Sequence, residues 1–212
     1  PGVILLTTSV DSVSCTGGTD GSLSVAATGG NLGYNYQWDL AAGGQVTDTA
    51  TNLTAGTYTV TVTDIKGCDS DTSILLEEPN ELLITSIWSD SISCNGLANG
   101  SASAIPSGGN AGYTYQWDLF AGGQTSDTAT NLIPGTYTVT ITDSKGCFKD
   151  TTITISEPDI LAVDSAYQDS VSCNGLANGR AVIDSVSGGN GIYSYAWDIA
   201  AAYFLSRKVY LD

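Results

Sequence analysis

The stretch Gly56-Thr-Tyr-Thr-Val-Thr-Val-Thr-Asp64 alternates apolar and hydroxyl side chains with a period of two residues. Its tyrosine and two valines fall on one face of an extended segment, and its threonines fall on the other face. This pattern predicts a β-strand with one buried and one solvated face, as antiparallel sheets require. Shorter alternating runs at 22–27 and 34–38 predict further strands. We therefore expect an all-β fold in which about six or seven short strands form an antiparallel sandwich.

The chain repeats itself at a spacing of 79 residues. The stretch quoted above returns as Gly135-Thr-Tyr-Thr-Val-Thr-Ile-Thr-Asp143, and Cys15, Cys94 and Cys173 are each 79 residues apart. Solenoid repeats typically run about 20 to 50 residues, so the longer period predicts a string of small autonomous domains. The dipeptides Glu78-Pro79 and Glu157-Pro158 mark the seams between them. The predicted modules are two complete sandwiches, 1–79 and 80–158, and a partial one, 159–212.

The third module departs from the repeat after Trp197-Asp198. The stretch 199–212 lacks the threonine-rich strand, and two interpretations are open: a truncated or divergent end of a longer array, or a half module completed by a strand from another copy. The sequence has no initiator Met, no signal peptide and no apolar run long enough to span a bilayer. We therefore expect a piece that starts at a seam of a longer protein and does not itself insert into a membrane.

The charge of the chain is sparse and one-sided. It has 22 acidic and 6 basic residues, no His, and a net charge of −16. This argues against nucleic acid as a partner, because phosphates are neutralised by Lys and Arg. Cation binding is the alternative to a simple solvated acidic surface. The turn 15–21 contains a carboxylate suited to calcium, but its equivalents at 94–100 and 173–179 do not. We therefore expect no cofactor, with calcium as the open alternative.

The cysteines predict disulfides. A module of about 80 residues has a small hydrophobic core, and a disulfide that stabilises it is therefore expected. Cys15 and Cys68 are 53 residues apart, and so are Cys94 and Cys147, so we expect these two pairs to be bonded, while Cys173 has no partner at that spacing. With no His and no closely spaced Cys pair, a tetrahedral metal site is disfavoured. Disulfides indicate an oxidising compartment, extracellular or on the cell surface.

A second pattern places Asp before Ser or Thr and then a small or apolar residue. It resembles the O-glycosylation sequon of Bacteroidota, in which the central hydroxyl carries the glycan. The alternative is that Asp-Ser and Asp-Thr favour turns and strand starts. The candidate O-glycosylation residues are Ser12, Thr49, Ser91, Thr128, Thr151, Ser165, Ser170 and Ser185.

Catalysis finds little support in the sequence. Without His, a serine nucleophile would need Lys or a carboxylate as its base, and the glycine pairs stand between predicted strands rather than before helices. We expect a protein that is not an enzyme.

The aromatic residues Tyr34, Tyr36 and Trp38 share one face of their strand. They predict either a packed core or a platform on which surface glycans stack, as in a carbohydrate-binding module.

The stretch from Ser93 to Cys147 contains Ser-Cys-Asn-Gly, Tyr-Thr-Tyr-Gln-Trp and Gly-Thr-Tyr-Thr-Val-Thr-Ile-Thr-Asp-Ser-Lys-Gly-Cys in order. It resembles the SprB-type repeat of large surface adhesins of gliding Bacteroidota. The resemblance implies an immunoglobulin-like sandwich, display on the cell surface and type IX secretion. It favours an extracellular structural or adhesive array that forms a stalk, fibre or filament, with neighbouring repeats or further copies of the chain as its partners.

Overall fold

A computed structural model describes residues 2–197 of the 212-residue chain, and every regular element within that range is a β-strand. The strands of the first repeat are β1 (Leu5–Asp11), β2 (Gly21–Thr28), β3 (Asn35–Trp38), β4 (Thr49–Leu53), β5 (Gly56–Thr63) and β6 (Asp69–Leu76). Those that follow are β7 (Leu83–Asp90), β8 (Gly100–Ser107), β9 (Thr114–Trp117), β10 (Thr128–Leu132), β11 (Gly135–Thr142), β12 (Phe148–Ile155), β13 (Ala162–Asp169) and β14 (Arg180–Ser187).

The strands of the first repeat form two three-stranded antiparallel sheets, in the orders β1-β2-β4 and β3-β5-β6. The threonine-rich strand β5 is central in its sheet: Trp38 of β3 pairs with Val60, and Thr72 of β6 pairs with Val60 from the other side. The three apolar residues of β5 are buried, as the alternation predicted. A strand paired on both edges has all its ladder hydrogen bonds satisfied, which suits it to the middle of the sheet.

One hydrophobic core joins the two sheets of the first repeat. Leu23 and Val25 of β2 pack in the same buried cluster as Trp38, Val60 and residues of β4 and β6. Because both sheets contribute their inward faces to this cluster, the repeat is a two-layer sandwich. The prediction of all-β, antiparallel sandwich modules is confirmed.

The second repeat uses the same sheet orders, β10-β8-β7 and β12-β11-β9. Its buried Trp117, Tyr137, Val139 and Ile141 occupy the positions of the buried residues 38, 58, 60 and 62. In the third repeat the described strands β13 and β14 form an antiparallel pair. The tail 199–212, for which the sequence left two interpretations open, lies outside the described residues.

The chain divides into two compact units. The first contains the residues up to Ser86 together with Ile105–Gln116 and Thr140–Thr151. The second contains Ile87–Ala104, Trp117–Val139 and the described residues from Thr152 onward. This division differs from the sequence period, and the module limits 1–79, 80–158 and 159–212 stay predictions from the repeat.

Candidate functional site

A disulfide joins Cys15 to Cys147, with a Cα–Cα distance of 5.7 Å, inside the first compact unit. The bond therefore links the first sequence repeat to the second, across 132 residues of chain. The predicted pairs Cys15–Cys68 and Cys94–Cys147 are wrong in this structure. Cys68 and Cys173 are exposed free thiols, and Cys94 is a half-buried free thiol.

The lengths of the strands explain why Cys15 does not reach Cys68. The loop that holds Cys15 is tied to the end of β6, because the N–H of Val13 donates to the Glu77 carbonyl at 3.3 Å and the N–H of Gly17 donates to the Glu78 carboxylate at 2.6 Å. Cys68 immediately precedes the start of β6. Eight strand residues at about 3.3 Å each separate the two ends by about 26 Å. Disulfides require Cα atoms within about 7 Å.

Around the disulfide, Asn110 holds the loop of Cys15 in place. Its side-chain amide donates to the carbonyl oxygen of Ser14 at 2.8 Å and to the carboxylate of Asp143 at 3.0 Å. The sulfur of Cys147 lies 3.2 Å from the same Ser14 carbonyl oxygen. Asp143 in turn accepts the backbone N–H groups of Lys145 and Cys147, each at 2.9 Å. One buried carboxylate thus shapes the cysteine turn and orients the asparagine that contacts the partner loop.

The first repeat contains the same arrangement at Asp64. Its carboxylate accepts the backbone N–H and the side-chain amide of Asn31 at 2.9 and 2.8 Å, and the backbone N–H of Cys68 at 3.0 Å. The hydrogen bonds from Asn31 lower the pKa of Asp64 from 3.8 to about 2. Here the turn ends in a free, exposed thiol rather than a disulfide.

The contact between asparagine and the residue before cysteine occurs a second time, within the second compact unit. The side-chain amide of Asn190 donates to the carbonyl oxygen of Ser93 at 2.8 Å. Asn190 is the equivalent of Asn110, and Ser93-Cys94 is the equivalent of Ser14-Cys15. The recurrence shows that the Asn–Ser contact belongs to the repeat and does not depend on the disulfide.

These asparagines are not among the site residues that the sequence patterns predict. Each follows a pair of glycines, in Gly29-Gly30-Asn31, Gly108-Gly109-Asn110 and Gly188-Gly189-Asn190. The glycine pairs predict breaks between strands, and both residues of each pair have positive φ. Two recurring features of the sequence could have identified the site. An Asn follows the glycine pair in all three repeats, and an Asp stands four residues before the cysteine in both Lys-Gly-Cys turns, at Asp64 and Asp143.

The aromatic face is part of the core rather than a binding platform. Trp38 and Trp117 are each 1% exposed. Their indole N–H groups donate to the carbonyl oxygens of Thr47 and Ser126 at 2.9 Å. Tyr34 and Tyr36 are partly buried against the same core as Trp38. The hypothesis of a stacking platform built on the tryptophans is therefore wrong, since buried indoles offer no face to a sugar.

The candidate O-glycosylation hydroxyls lie at the surface to different degrees. Four are exposed: Ser12, Ser91, Ser170 and Ser185. The other four are half-buried: Thr49, Thr128, Thr151 and Ser165. The first three of the exposed residues are equivalent positions of the three repeats, directly after β1, β7 and β13. Modification of these hydroxyls stays a prediction.

Residues 2–197 contain no group of three or more His, Cys, Asp or Glu side chains that could hold a metal ion. In the same range, no helix is long and apolar enough to cross a bilayer.

The model of the SprB repeat matches the chain at residues 7–43, 89–119 and 165–201. No curated protein matches this chain.

Several solved structures are similar. A C-terminal fragment of intimin, in complex with the intimin-binding domain of the translocated intimin receptor, is 17% identical over 76% of this chain and 67% of its own, with a TM-score of 0.39. The N-terminal eight immunoglobulin domains of Down Syndrome Cell Adhesion Molecule give 14% identity over 74% and 25%, with a TM-score of 0.37. Extracellular domains 3–5 of Drosophila OTK give 13% identity over 88% and 75%, with a TM-score of 0.30. Such low scores carry no conclusion about function.

Proposed function

The chain carries SprB repeats, and from that premise we propose that it is an extracellular structural or adhesive array that forms a stalk, fibre or filament on a bacterial surface. In this proposal it is secreted by the type IX route of Bacteroidota, has no catalytic activity and needs no cofactor. Its partners are neighbouring repeats, further copies of the chain and the surface to which it adheres.

The Cys15–Cys147 disulfide is the observation that carries the proposal. A staple within one module would stabilise that module alone, whereas this bond ties the first sequence repeat to the second. The bond closes a loop with a sequence separation of 132, and this segment cannot be extended by tension while the bond is intact. A covalent link between successive repeats is of use to a protein that transmits force and lasts only in an oxidising compartment.

The surface of the chain agrees with such a role. The net charge of −16 favours solubility and repulsion between neighbouring filaments. The ion pairs of the described residues are solvent-exposed ones, such as Lys149 with Glu81 at 3.3 Å. Exposed pairs of this kind contribute little to stability. Stability is therefore expected to depend on the sandwich core and the disulfide.

Single-molecule pulling tests the mechanical role. With handles at the two ends of the chain, the oxidised protein should extend by about 460 Å less than the reduced protein, because 132 residues at about 3.5 Å each stay locked behind the bond. The double variant Cys15→Ser, Cys147→Ser should extend like the reduced protein. Cys94→Ser, which removes a free thiol, is the matched control and should behave like the wild type. Equal extension of oxidised and reduced protein would remove the basis of the proposal.

Surface display and glycosylation can be measured on native material. Antibody to this chain should label intact cells of the source bacterium as strongly as lysed cells, and labelling only after lysis would contradict an extracellular location. Peptide mass spectrometry should find glycans on the exposed Ser12, Ser91 and Ser170. Ser9, an exposed serine of β1 that no Asp precedes, is the internal control and should be unmodified.

A further inference from the structure

The segments that leave the two complete sandwiches are hydrogen-bonded to their own repeats. We call them the exit segments: Glu78-Pro79 and Glu157-Pro158. In the first repeat, the backbone N–H of Gly17 donates to the Glu78 carboxylate at 2.6 Å, and the hydroxyl of Thr16 donates to the Pro79 carbonyl oxygen at 2.8 Å. The exit segment therefore lies against the loop that contains Cys15.

The second repeat holds its exit segment in the same way. The backbone N–H of Gly96 donates to the Glu157 carboxylate at 2.7 Å, and the side-chain amide of Asn95 donates to the Pro158 carbonyl oxygen at 3.1 Å. The donor to the proline carbonyl is a threonine hydroxyl in one repeat and an asparagine amide in the other. Because the contact is kept with a different donor, it is a feature of the repeat rather than of one loop.

The residue types of the exit segment restrict its backbone further. Proline fixes its own φ and confines the residue before it to extended conformations. The hydrogen bond from glycine to the glutamate carboxylate is charge-assisted, and such bonds are roughly twice as strong as neutral ones. An exit segment with a restricted backbone and two anchoring hydrogen bonds has little freedom to change direction.

The loop that holds the exit segment also contacts the following repeat. We call this loop the Ser-Cys loop: residues 14–17 in the first repeat and 93–96 in the second. The carbonyl oxygen of its serine accepts the side-chain amide of Asn110 in the first case and of Asn190 in the second, each at 2.8 Å. The first set of contacts lies inside the first compact unit, and the second set lies inside the second unit. Each Ser-Cys loop is thus bonded both to its own exit segment and to the next repeat.

The two joints differ in their covalent bond and agree in their hydrogen bonds. The Ser-Cys loop at 14–17 carries the disulfide to Cys147, whereas Cys94 of the second loop is a free thiol. The bonds to glutamate, proline and asparagine measure 2.6, 2.8 and 2.8 Å at the first joint and 2.7, 3.1 and 2.8 Å at the second. The arrangement of the joint therefore does not depend on the disulfide.

We propose that the Ser-Cys loop forms a rigid joint, in which hydrogen bonds to the exit segment and to the asparagine of the next repeat fix the orientation of successive repeats. The glutamates and asparagines act as positioning residues and set the stiffness of the joint. The Cys15–Cys147 disulfide adds strength under tension and is not needed for stiffness. This inference deepens the structural array proposed above and rests on it.

Residual dipolar couplings of the backbone N–H groups, measured by NMR in a dilute alignment medium, test the inference. They report the magnitude of alignment of each sandwich, and two sandwiches that move together have equal magnitudes. We expect equal magnitudes for the first and second repeats in the wild type and in the double variant Cys15→Ser, Cys147→Ser. Adding Glu78→Ala and Asn110→Ala to the double variant should make the two magnitudes differ.

Two substitutions in the same cysteine-free joint serve as matched controls. Glu77→Ala removes an equal charge from an exposed neighbouring side chain, whose carboxylate accepts no hydrogen bond among the described residues. Asn31→Ala removes an amide that bonds Asp64 as Asn110 bonds Asp143. Neither side chain contacts a Ser-Cys loop in residues 2–197, so both controls should keep equal magnitudes. Should Asn110→Ala unfold the second repeat, as its chemical shifts would reveal, Glu78→Ala alone in the double variant is the remaining test and should still separate the magnitudes.

Three outcomes would overturn the inference. Unequal magnitudes in the wild type would show a flexible joint. Unequal magnitudes in the double cysteine variant would show that the disulfide sets the stiffness. Equal magnitudes after loss of Glu78 and Asn110 would show that these contacts do not. The extension measured by pulling depends on the disulfide alone, so failure here and failure of the proposed mechanical role are separate.

Discussion

Asn31 donates two hydrogen bonds to the carboxylate of Asp64, from its backbone N–H at 2.9 Å and from its side-chain amide at 2.8 Å. The backbone N–H groups of Lys66 and Cys68 supply two further bonds. Asp64 is 2% exposed, and its full set of donors keeps the buried carboxylate ionised. The pair closes the cysteine turn and sets the orientation of the Asn31 side-chain amide.

The stability of the fold should fall at acidic pH because of Asp64. The hydrogen bonds from Asn31 lower its pKa in the folded protein to about 2, against 3.8 for an unperturbed Asp. The unfolded state therefore binds the proton first, so the contribution of Asp64 is fully present above about pH 5 and is lost as pH falls from about 4 to 2. Urea unfolding measured across this range should show the loss.

Asp64→Asn should flatten that pH dependence, since the variant has no proton to gain at this position. Asp71→Asn, at an exposed position on β6, is the matched control and should keep the wild-type profile. A profile of Asp64→Asn as steep as that of the wild type would show that other carboxylates determine the acid transition.

Reduction of Cys15–Cys147 should destabilise the first compact unit by about 5 kcal/mol on the chain-entropy model, given a loop of 132 residues. The intact mass before reduction should be lower than that of the reduced chain by the mass of two hydrogen atoms, and alkylation should label three cysteines, Cys68, Cys94 and Cys173. Labelling of Cys15 in native protein, or a tryptic pair that joins Cys15 to Cys68, would contradict the structure.

Truncation of the buried indole should damage the core. Trp38→Ala is expected to cost about 3–5 kcal/mol, because it leaves a large cavity between the two sheets. Leu40→Ala, two residues along the chain at a side chain that is 93% exposed, should change the free energy of unfolding by no more than about 0.5 kcal/mol. Comparable losses in the two variants, measured by urea unfolding, would mean that Trp38 is not a core residue.

Gly21 at the start of β2 should not tolerate a side chain. A Cβ there would lie 2.6 Å from Cδ2 of Leu76 and 3.1 Å from the carbonyl oxygen of Leu53, so Gly21→Ala should cost about 1–3 kcal/mol. Gly56→Ala is the matched control, because the nearest atom to a Cβ there would be Cε2 of Tyr58, at 3.7 Å. Its thermal unfolding midpoint should equal or slightly exceed that of the wild type.

The strands could be predicted from the sequence because alternation is a local property. The alternation in residues 56–64 predicts which side chains face inward, and Tyr58, Val60 and Val62 are buried as expected. For Trp38 the sequence left two hypotheses, a packed core and a glycan-stacking platform. Alternation predicts which face of a strand an aromatic residue occupies, but it does not predict what covers that face. The second sheet of the sandwich covers it, and that is a tertiary contact.

By itself the sequence determined the repeat, the antiparallel strands and the division of each strand into a solvated and a buried face. The two faces follow from side chains two residues apart, and the repeat follows from residues 79 apart. Only the tertiary structure decided which cysteines pair. The 53-residue spacing recurs with every repeat, whether or not Cys15 is near Cys68. A disulfide forms where two Cα atoms come within about 7 Å, and strand β6 holds Cys68 at the far end of the sandwich from Cys15 while Cys147 lies 5.7 Å away.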